Sequence, residues 1–338
     1  MRYYVLDPVG SIENLQLREG AVPVPRGDTD VVVKVKAATL NYKDLVLALG
    51  WLPLNNGDAD YVPLSDGAGK VVGVGPGVRN LQPGDRVVPS FFPDWETGEP
   101  AGDEKSLGRE LTGMLAEYVC LPEQALVRIP DSMSYAEAAA FPCAGVTAWH
   151  ALCEKGPVTE EHTVLTLGTG GVSMFALQIA KAKGATVIAT TGSAEKAQLL
   201  HRVGADHVIN YRETEEWDKE VLRLTDGKGA DIIVEVGGAQ TFQKSMNAAA
   251  FGGRISCVGV LAGVDGHADP TSILFKSLSV DGVYVGNTQM LHDVIAFYDR
   301  NRLRPIMDAE TFPFEDAGKA YARLLQQSHF GKIALQIQ

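Results

Sequence analysis

The run Val164-Leu-Thr-Leu-Gly-Thr-Gly-Gly-Val-Ser173 constrains the fold of this chain more than any other stretch. Its apolar and β-branched start reads as a buried strand. Gly168-x-Gly170-x-x-Ser173 makes a sharp turn out of it, and Phe175 to Lys183 carries helical spacing. Gly168 permits the tight turn, Gly170 lets the backbone approach a pyrophosphate, and a small residue at 173 lets helix and strand pack closely. The helix start adds unpaired N–H groups and the positive end of a dipole, which suit phosphates. A glycine triplet alone is weak evidence, and the third position here is Ser. Context strengthens it: a second strand, Thr186 to Thr190, follows the helix, which completes a βαβ unit. A dinucleotide-binding turn is expected, with Gly168, Thr169, Gly170, Gly171, Val172 and Ser173 around the phosphates.

The surrounding pattern changes near residue 131. Before it, short strands are broken by Gly, Pro and Asp at Tyr3–Leu6, Val31–Ala37, Lys70–Val74, Arg86–Val88 and Tyr118–Leu121. That spacing predicts a compact barrel-like β domain, with 89–113 as a long loop. After it, Tyr135–Ala140 and Val146–Cys153 look helical. Strands then alternate with helices at Thr163–Leu167, Thr186–Thr190, His207–Ile209, Asp231–Val236 and Arg254–Val258. Such alternation predicts a doubly wound parallel sheet covered on both faces. Val280–Val285 is a candidate last strand, His292–Asn301 a helix, and Lys332–Ile337 a strand returning to the first domain. The expected class is α/β, and 338 residues suit two domains: 1–130 completed by 286–338, and 131–285 between.

A net charge of −12 leaves no basic stripe for a nucleic acid. No apolar run approaches membrane-spanning length and the start at Met1 reads directly as strand, so the expected location is the cytoplasm, with no membrane partner. The four cysteines, Cys120, Cys143, Cys153 and Cys257, show no CxxC spacing, which argues against a disulfide framework or a four-thiolate zinc lobe.

The end of the second strand of the βαβ unit chooses the coenzyme. NAD-preferring folds place an acid there to accept from the ribose 2′-hydroxyl. This chain has Ala189-Thr-Thr-Gly-Ser193 instead, with Thr191 at the expected place. Gly192 and Ser193 offer small neutral donors, Lys196 follows one helical turn later, and Tyr211 ends the next strand. Lys196 alone reads as a solvated helix residue. The missing acid together with these donors favours a 2′-phosphate, hence NADP(H).

With these residues in place, the chain resembles the medium-chain dehydrogenase/reductase superfamily, in its zinc-independent, quinone-oxidoreductase-like branch. The marks are Leu40-Asn-Tyr-Lys-Asp44, the run from Pro63 to Gly75, Pro83-Gly-Asp-Arg-Val87 and Phe141-Pro-Cys-Ala-Gly-Val-Thr-Ala-Trp149. Gly204-Ala-Asp-His-Val-Ile-Asn-Tyr211 and His329-Phe-Gly-Lys332 complete them. The resemblance implies a GroES-like β-rich catalytic domain built from both chain ends, a Rossmann domain between them, an active site in the cleft and a homodimer. It also places Thr147 and the Val258-Gly259-Val260 backbone against the nicotinamide, and Gly237 and Gly238 beside the cofactor. Lys332 matches a basic position that contacts phosphates in relatives; the alternative is a surface Lys in the final strand.

Zinc-dependent relatives place Cys where this chain has Asn41 and His where it has Ser65; their third catalytic ligand falls at Cys143. One thiol with an amide and a hydroxyl is a poor zinc set, so no metal is expected. The resemblance makes Asn41 the candidate donor to a substrate or nicotinamide oxygen, and Tyr42 a candidate proton donor or ring contact. Asp44 is expected to anchor the loop, with Ser65 and Asp66 facing the same cleft. Position 43 is Lys where alcohol dehydrogenases use a hydroxyl relay, and Leu52 stands where many relatives have Tyr. These changes leave Tyr42, Tyr61 or water as proton sources. Trp51, Tyr61, Phe91, Phe92 and Trp95 read either as an apolar pocket or as ordinary packing. The leading expectation is NADPH-dependent reduction of quinones or α,β-unsaturated carbonyl compounds. NADP-dependent alcohol or ketone chemistry, and a low-turnover NADPH-binding role, are the alternatives.

Overall fold

The computed structural model describes residues 1–54 and 60–338, which form two compact units: Met1–Val146 with Gly286–Gln338, and Thr147–Val285. The first unit opens on an antiparallel pair, β1 (Arg2–Leu6) and β2 (Leu15–Glu19). Its main sheet begins with β3 (Asp30–Thr39) and continues through β4 (Asp66–Val74), β5 (Arg86–Pro89), β6 (Tyr118–Pro122) and β7 (Leu126–Arg128). The Val-rich start of β3 favours extended backbone, because β-branched side chains pack well on a pleated surface. β3 pairs antiparallel with both β4 and β6. Between residues 90 and 117 no regular helix or strand forms.

The second unit carries a parallel sheet of β8 (Thr163–Leu167), β9 (Thr186–Thr191), β10 (His207–Asn210), β11 (Ala230–Glu235), β12 (Ala249–Cys257) and β13 (Ser279–Gly282). The order is β10-β9-β8-β11-β12-β13. β8 and β11 are buried nearly throughout, so they read as continuous apolar runs rather than alternating ones. The order reverses between β8 and β11, and in open α/β sheets ligands bind outside the carboxyl ends at that point. The helix Gly171–Ala182 buries Met174, Phe175, Leu177 and Ile179, which fixes the turn leading into it.

The last part of the chain returns to the first unit through β14 (Met307–Pro313) and β15 (Lys332–Gln336). Its sheet then runs β14-β15-β3-β4-β5-β7, with β6 beside β3. The core there includes Val31, Val33, Leu45, Leu47, Leu64, Met114, Leu115, Tyr321 and Leu335.

The structure departs from the sequence expectation at several places. The units divide after Val146 rather than at 130/131. Residues 135–146 join the first unit because Thr39 Oγ1 donates to Ala139 O at 2.8 Å and the Phe141 ring packs edge-on against Tyr298. The helix expected over 135–140 stops at Ala138 and gives way to a π-type turn, Phe141–Gly145, whose Pro142 has no N–H to continue the ladder. β13 ends at Gly282, and Val285 takes a φ of 52°, which takes the chain out of the extended region. β14 and the helix Ala317–Leu325 were not anticipated; β14 is mostly exposed and lacks an apolar run.

Candidate functional site

Three neighbouring strand ends build a buried polar cluster in the first unit. Thr39 at the end of β3 pairs in register with Asp66 at the start of β4 and with Ala334 in β15. Leu40 N–H then donates to Ile333 O, which carries the ladder one step further and puts Lys332 beside Leu40 and Asn41. The Lys332 ammonium, 3% exposed, donates to Asn41 Oδ1 at 2.6 Å, to Asp66 Oδ2 at 3.0 Å and to Leu40 O at 3.0 Å. Thr39 Oγ1 and Ser65 Oγ complete the shell: Thr39 lies 3.4 Å from Asp66 Oδ2, and Ser65 donates to Asp66 Oδ1 at 3.0 Å. A buried charge is tolerated only when paired and hydrogen-bonded, and here both charges are. Removing one partner of such a pair costs roughly 3–5 kcal/mol.

Lysine only donates, so the atom 2.6 Å from it must be the oxygen of the Asn41 carboxamide. That leaves Nδ2 as the other end of the amide. Its one protein partner in the described residues is Ser65 Oγ at 3.4 Å, and Asn41 keeps 9% of its surface. The structure therefore shows a carboxamide held by its oxygen with donor capacity left on its nitrogen.

Asn41 also precedes the helix Tyr42–Ala48, and its N–H donates to Asp44 Oδ2 at 2.9 Å. Asp44 is fully buried, its Oδ1 accepts no hydrogen bond from the described residues, and the Lys43 ammonium lies 3.9 Å away. Burial pushes the Asp44 carboxyl up to about 6, with Lys43 opposing the rise and Asp66 adding to it. Burial likewise lowers the Lys43 ammonium, which donates to Leu107 O at 2.8 Å and sits 4.5 Å over the Phe91 ring. Tyr42 is half-buried against the unit's core. Tyr61 donates to Gly108 O at 3.3 Å, and burial holds its phenol well above the ordinary range, which makes it a poor proton source at neutral pH. Phe91, Phe92 and Trp95 are buried packing residues, whereas Trp51 is 63% exposed.

These positions do not fit a zinc ion. Asn41 Oδ1 is taken by an ammonium, Ser65 Oγ is spent on Asp66, and burial raises the Cys143 thiol far above its ordinary value. Zinc needs the thiolate, and a lysine cation at the centre of the set repels a second cation. Among the described residues no group of three or more His, Cys, Asp or Glu is placed to hold a metal.

In the second unit, Gly168 leaves β8 with a φ of 73°, a conformation that L side chains resist. A Cβ on Gly170 would meet none of the described residues within 4 Å, which leaves room beside the turn. Gly170 caps the helix Gly171–Ala182 without any side-chain hydrogen bond, which leaves the first-turn N–H groups of Gly171, Val172 and Ser173 to a ligand or solvent. Ser173 Oγ donates back to Leu167 O at 2.6 Å and thereby seals helix to strand. Thr169 is buried beside them. This cradle fits a pyrophosphate. At the end of β9, Ser193 Oγ accepts from Lys196 N–H at 3.3 Å, capping the helix Ala194–Arg202. Thr191 Oγ1 accepts from Ser193 N–H, and the Tyr211 ring covers Gly192 so closely that a Cβ there would lie 2.6 Å from its hydroxyl.

Sequence reasoning missed Glu235 at the end of β11. Its Oε1 accepts from Gly237 N–H at 2.7 Å, Gly238 N–H at 3.0 Å and Thr241 Oγ1 at 2.6 Å, and Ser245 donates to Oε2. The carboxylate closes the turn that Gly237 and Gly238 make. Gly238 has a φ of 87°, and a Cβ there would lie 2.8 Å from Val260 Cα, so a side chain has no room. Val258 continues from β12 by donating to Glu235 O, and Val260 is exposed beyond it. An acid two residues before a glycine pair, Glu235-Val-Gly-Gly238, at a strand end is the available signal. Thr147 is buried at the start of this unit.

Three expectations need correction. Lys332 is neither a surface residue nor free to reach a phosphate, since all three ammonium protons are engaged inside the first unit. Ser65 and Asp66 are fully buried and bonded to each other rather than presented to a substrate. Tyr211 follows β10 instead of ending it.

The chain is similar to known proteins along its whole length. The family described as alcohol dehydrogenase GroES-like domain matches residues 27–131, and the family described as zinc-binding dehydrogenase matches 171–300. A zinc-type alcohol dehydrogenase-like protein of Schizosaccharomyces pombe is 38% identical, covering 100% of this chain and 99% of its own length. The crystal structure of a putative alcohol dehydrogenase from Sinorhizobium meliloti shares 40% identity and a TM-score of 0.91, over 99% of this chain and 98% of that one. A solved NAD-dependent alcohol dehydrogenase is 36% identical with a TM-score of 0.91, over the whole of both chains. The chain belongs to the medium-chain dehydrogenase/reductase superfamily of oxidoreductases, and it combines a GroES-like domain with a Rossmann-like one. No described helix is long and apolar enough to cross a membrane.

Proposed function

We propose that this protein is an NADPH-dependent reductase of activated carbonyl compounds, quinones or α,β-unsaturated carbonyls, working without zinc. The observation that carries the reading is the Lys332-held carboxamide of Asn41, which occupies the metal-ligand position with a free amide donor. The nicotinamide supplies the hydride. The chain's own residues bind it and steady charge on the acceptor. The turn Gly168–Ser173 takes the pyrophosphate, and Thr191, Gly192, Ser193, Lys196 and Tyr211 take the ribose 2′-phosphate, with no acid in the strand end Ala189–Ser193 to repel it. Thr147 and the 258–260 backbone border the nicotinamide, with Gly237 and Gly238 keeping the neighbouring turn tight.

Asn41 Nδ2 donates to the acceptor's carbonyl oxygen, where negative charge develops as the hydride arrives. An already polarised acceptor needs only this modest help, whereas a simple ketone needs stronger activation by an acid or a metal. Tyr42 or water returns the proton. Asp44 is buried and spent on the Asn41 N–H, so it holds that backbone rather than abstracting a proton. The protein acts as a cytoplasmic homodimer, in which β13 pairs with its copy across a two-fold axis.

A second reading is NADP-dependent interconversion of alcohols and ketones; its alcohol chemistry, though not its coenzyme, is favoured by the names of the relatives above. The test is a steady-state panel on chelator-treated protein. Turnover of a quinone or an enone with NADPH, far above that of a simple ketone, supports the reductase. Restoration of alcohol oxidation by added zinc supports the second reading.

A further inference from the structure

We propose that the buried Lys332 ammonium is this site's own fixed cation, a positioning residue that grips the Asn41 carboxamide by its oxygen and presents its NH2 as the hydrogen-bond donor. The argument rests on valence. An ammonium has three protons, and Asn41 Oδ1, Asp66 Oδ2 and Leu40 O accept all of them at 2.6–3.0 Å. Without this contact, the two ends of a primary amide differ little in shape, and Asn41 would be free to turn its oxygen outward. An oxygen there would repel the charge that Nδ2 is meant to stabilise. The cost of a flip with Lys332 in place is a buried ammonium facing NH2, which is prohibitive in a low-dielectric site.

The cage is built by register rather than by local sequence. Lys332 begins β15, Thr39 ends β3 and Asp66 begins β4, so the oxygen cage exists before any ligand binds. Ser65 Oγ donates to Asp66 Oδ1, which aims the carboxylate's other oxygen at the ammonium. The cage thus selects a small tethered cation of the ammonium type. The role of Asn41 in catalysis, through which Lys332 acts, rests on the reductase reading; the cation cage does not.

Two variants test this. In Lys332→Ala, the coenzyme-free protein is expected to melt at lower temperature. Ethylammonium or propylammonium chloride should restore the midpoint, while sodium or tetramethylammonium chloride at equal ionic strength should not. Absence of any alkylammonium selectivity overturns the cation cage, whether or not the enzyme turns over.

The double variant Lys332→Met/Asp66→Asn removes both charges, so no carboxylate is left buried alone. It is expected to fold, to bind NADPH within about twofold of wild type, and to lose about tenfold to a hundredfold in kcat. Wild-type kcat in that variant would mean that Lys332 merely neutralises Asp66, and positioning fails. A large loss of NADPH affinity would mean that Lys332 serves the coenzyme, which also overturns the proposal. If wild-type protein reduces no acceptor at all, the reductase reading has failed, and the alkylammonium experiment alone decides whether the cage holds a cation.

Discussion

The Lys332 ammonium lies 2.6 Å from the Asn41 amide oxygen across a sequence separation of 291 residues. That contact joins the end of the chain to the first helix of the site and fixes which way a catalytic amide would point. It depends on β15 returning to pair with β3, so the topology of the first unit and the chemistry of the site are one feature.

Asp44 makes stability depend on pH. Its folded-state pKa, about 6, lies above the ordinary carboxylate value of 3.8. The folded protein therefore holds this proton more tightly than the unfolded chain does. The stabilisation is fully present below about pH 4 and is lost as pH rises through about 6. Asp44→Asn keeps an oxygen to accept from Asn41 N–H and removes the buried charge. Denaturant titration is expected to show the variant more stable than wild type at pH 7.5, by on the order of 2 kcal/mol, with the difference vanishing near pH 4.

Two glycines in the proposed coenzyme turn do different work, and alanine separates them. Gly168→Ala puts a side chain at a φ of 73° and is expected to cost about 1 kcal/mol in folding. Gly170→Ala meets no protein atom within 4 Å, so stability should stay unchanged. Its methyl fills the proposed pyrophosphate space, and fluorescence titration should find NADPH affinity down at least about tenfold. Normal binding by Gly170→Ala would remove the phosphates from this turn.

Coenzyme choice is tested at Ser193. Asp serves as an N-cap as well as Ser does, so Ser193→Asp keeps the bond to Lys196 N–H and the helix behind it. The added charge faces the proposed 2′-phosphate. NADPH is expected to bind about tenfold more weakly while NADH changes little, a difference of about 1.4 kcal/mol. Equal effects on both coenzymes would place the ribose elsewhere.

Self-association is expected at the edge strand. Leu274 and Phe275 are 74% and 75% exposed, and Val280 and Tyr284 also present apolar surface near β13. A monomer rarely leaves such a patch uncovered. Phe275→Glu is expected to shift sedimentation from dimer toward monomer without loss of helix or sheet signal. A wild-type monomer at micromolar concentration would dismiss the interface.

The sequence carried the parallel sheet well, because β8 and β11 are short apolar runs between glycine turns and need only local reading. Strand Thr163–Leu167 and the turn after it coincide with the residues expected. The polar cluster was legible only in pieces. Asn41, Ser65 and Asp66 were singled out by resemblance, yet nothing local shows that Lys332 points into them. That fact comes from antiparallel register between distant strands. Glu235 was hidden for a similar reason: its partners are backbone N–H groups, whose direction a sequence does not display. The units divide after Val146 rather than at 130/131 because Thr39 and Tyr298, both distant in sequence, hold residues 135–146 to the first unit.

The most direct measurement is anaerobic stopped-flow oxidation of NADPH by an enone, comparing metal-stripped wild type with Asn41→Ala. The expected result is rapid single-turnover oxidation by wild type without added metal. In Asn41→Ala, NADPH should bind equally well but react about a hundredfold more slowly. Equal rates in the two proteins, or a wild type that reacts only after zinc is restored, would contradict a reductase built on the Lys332-held amide.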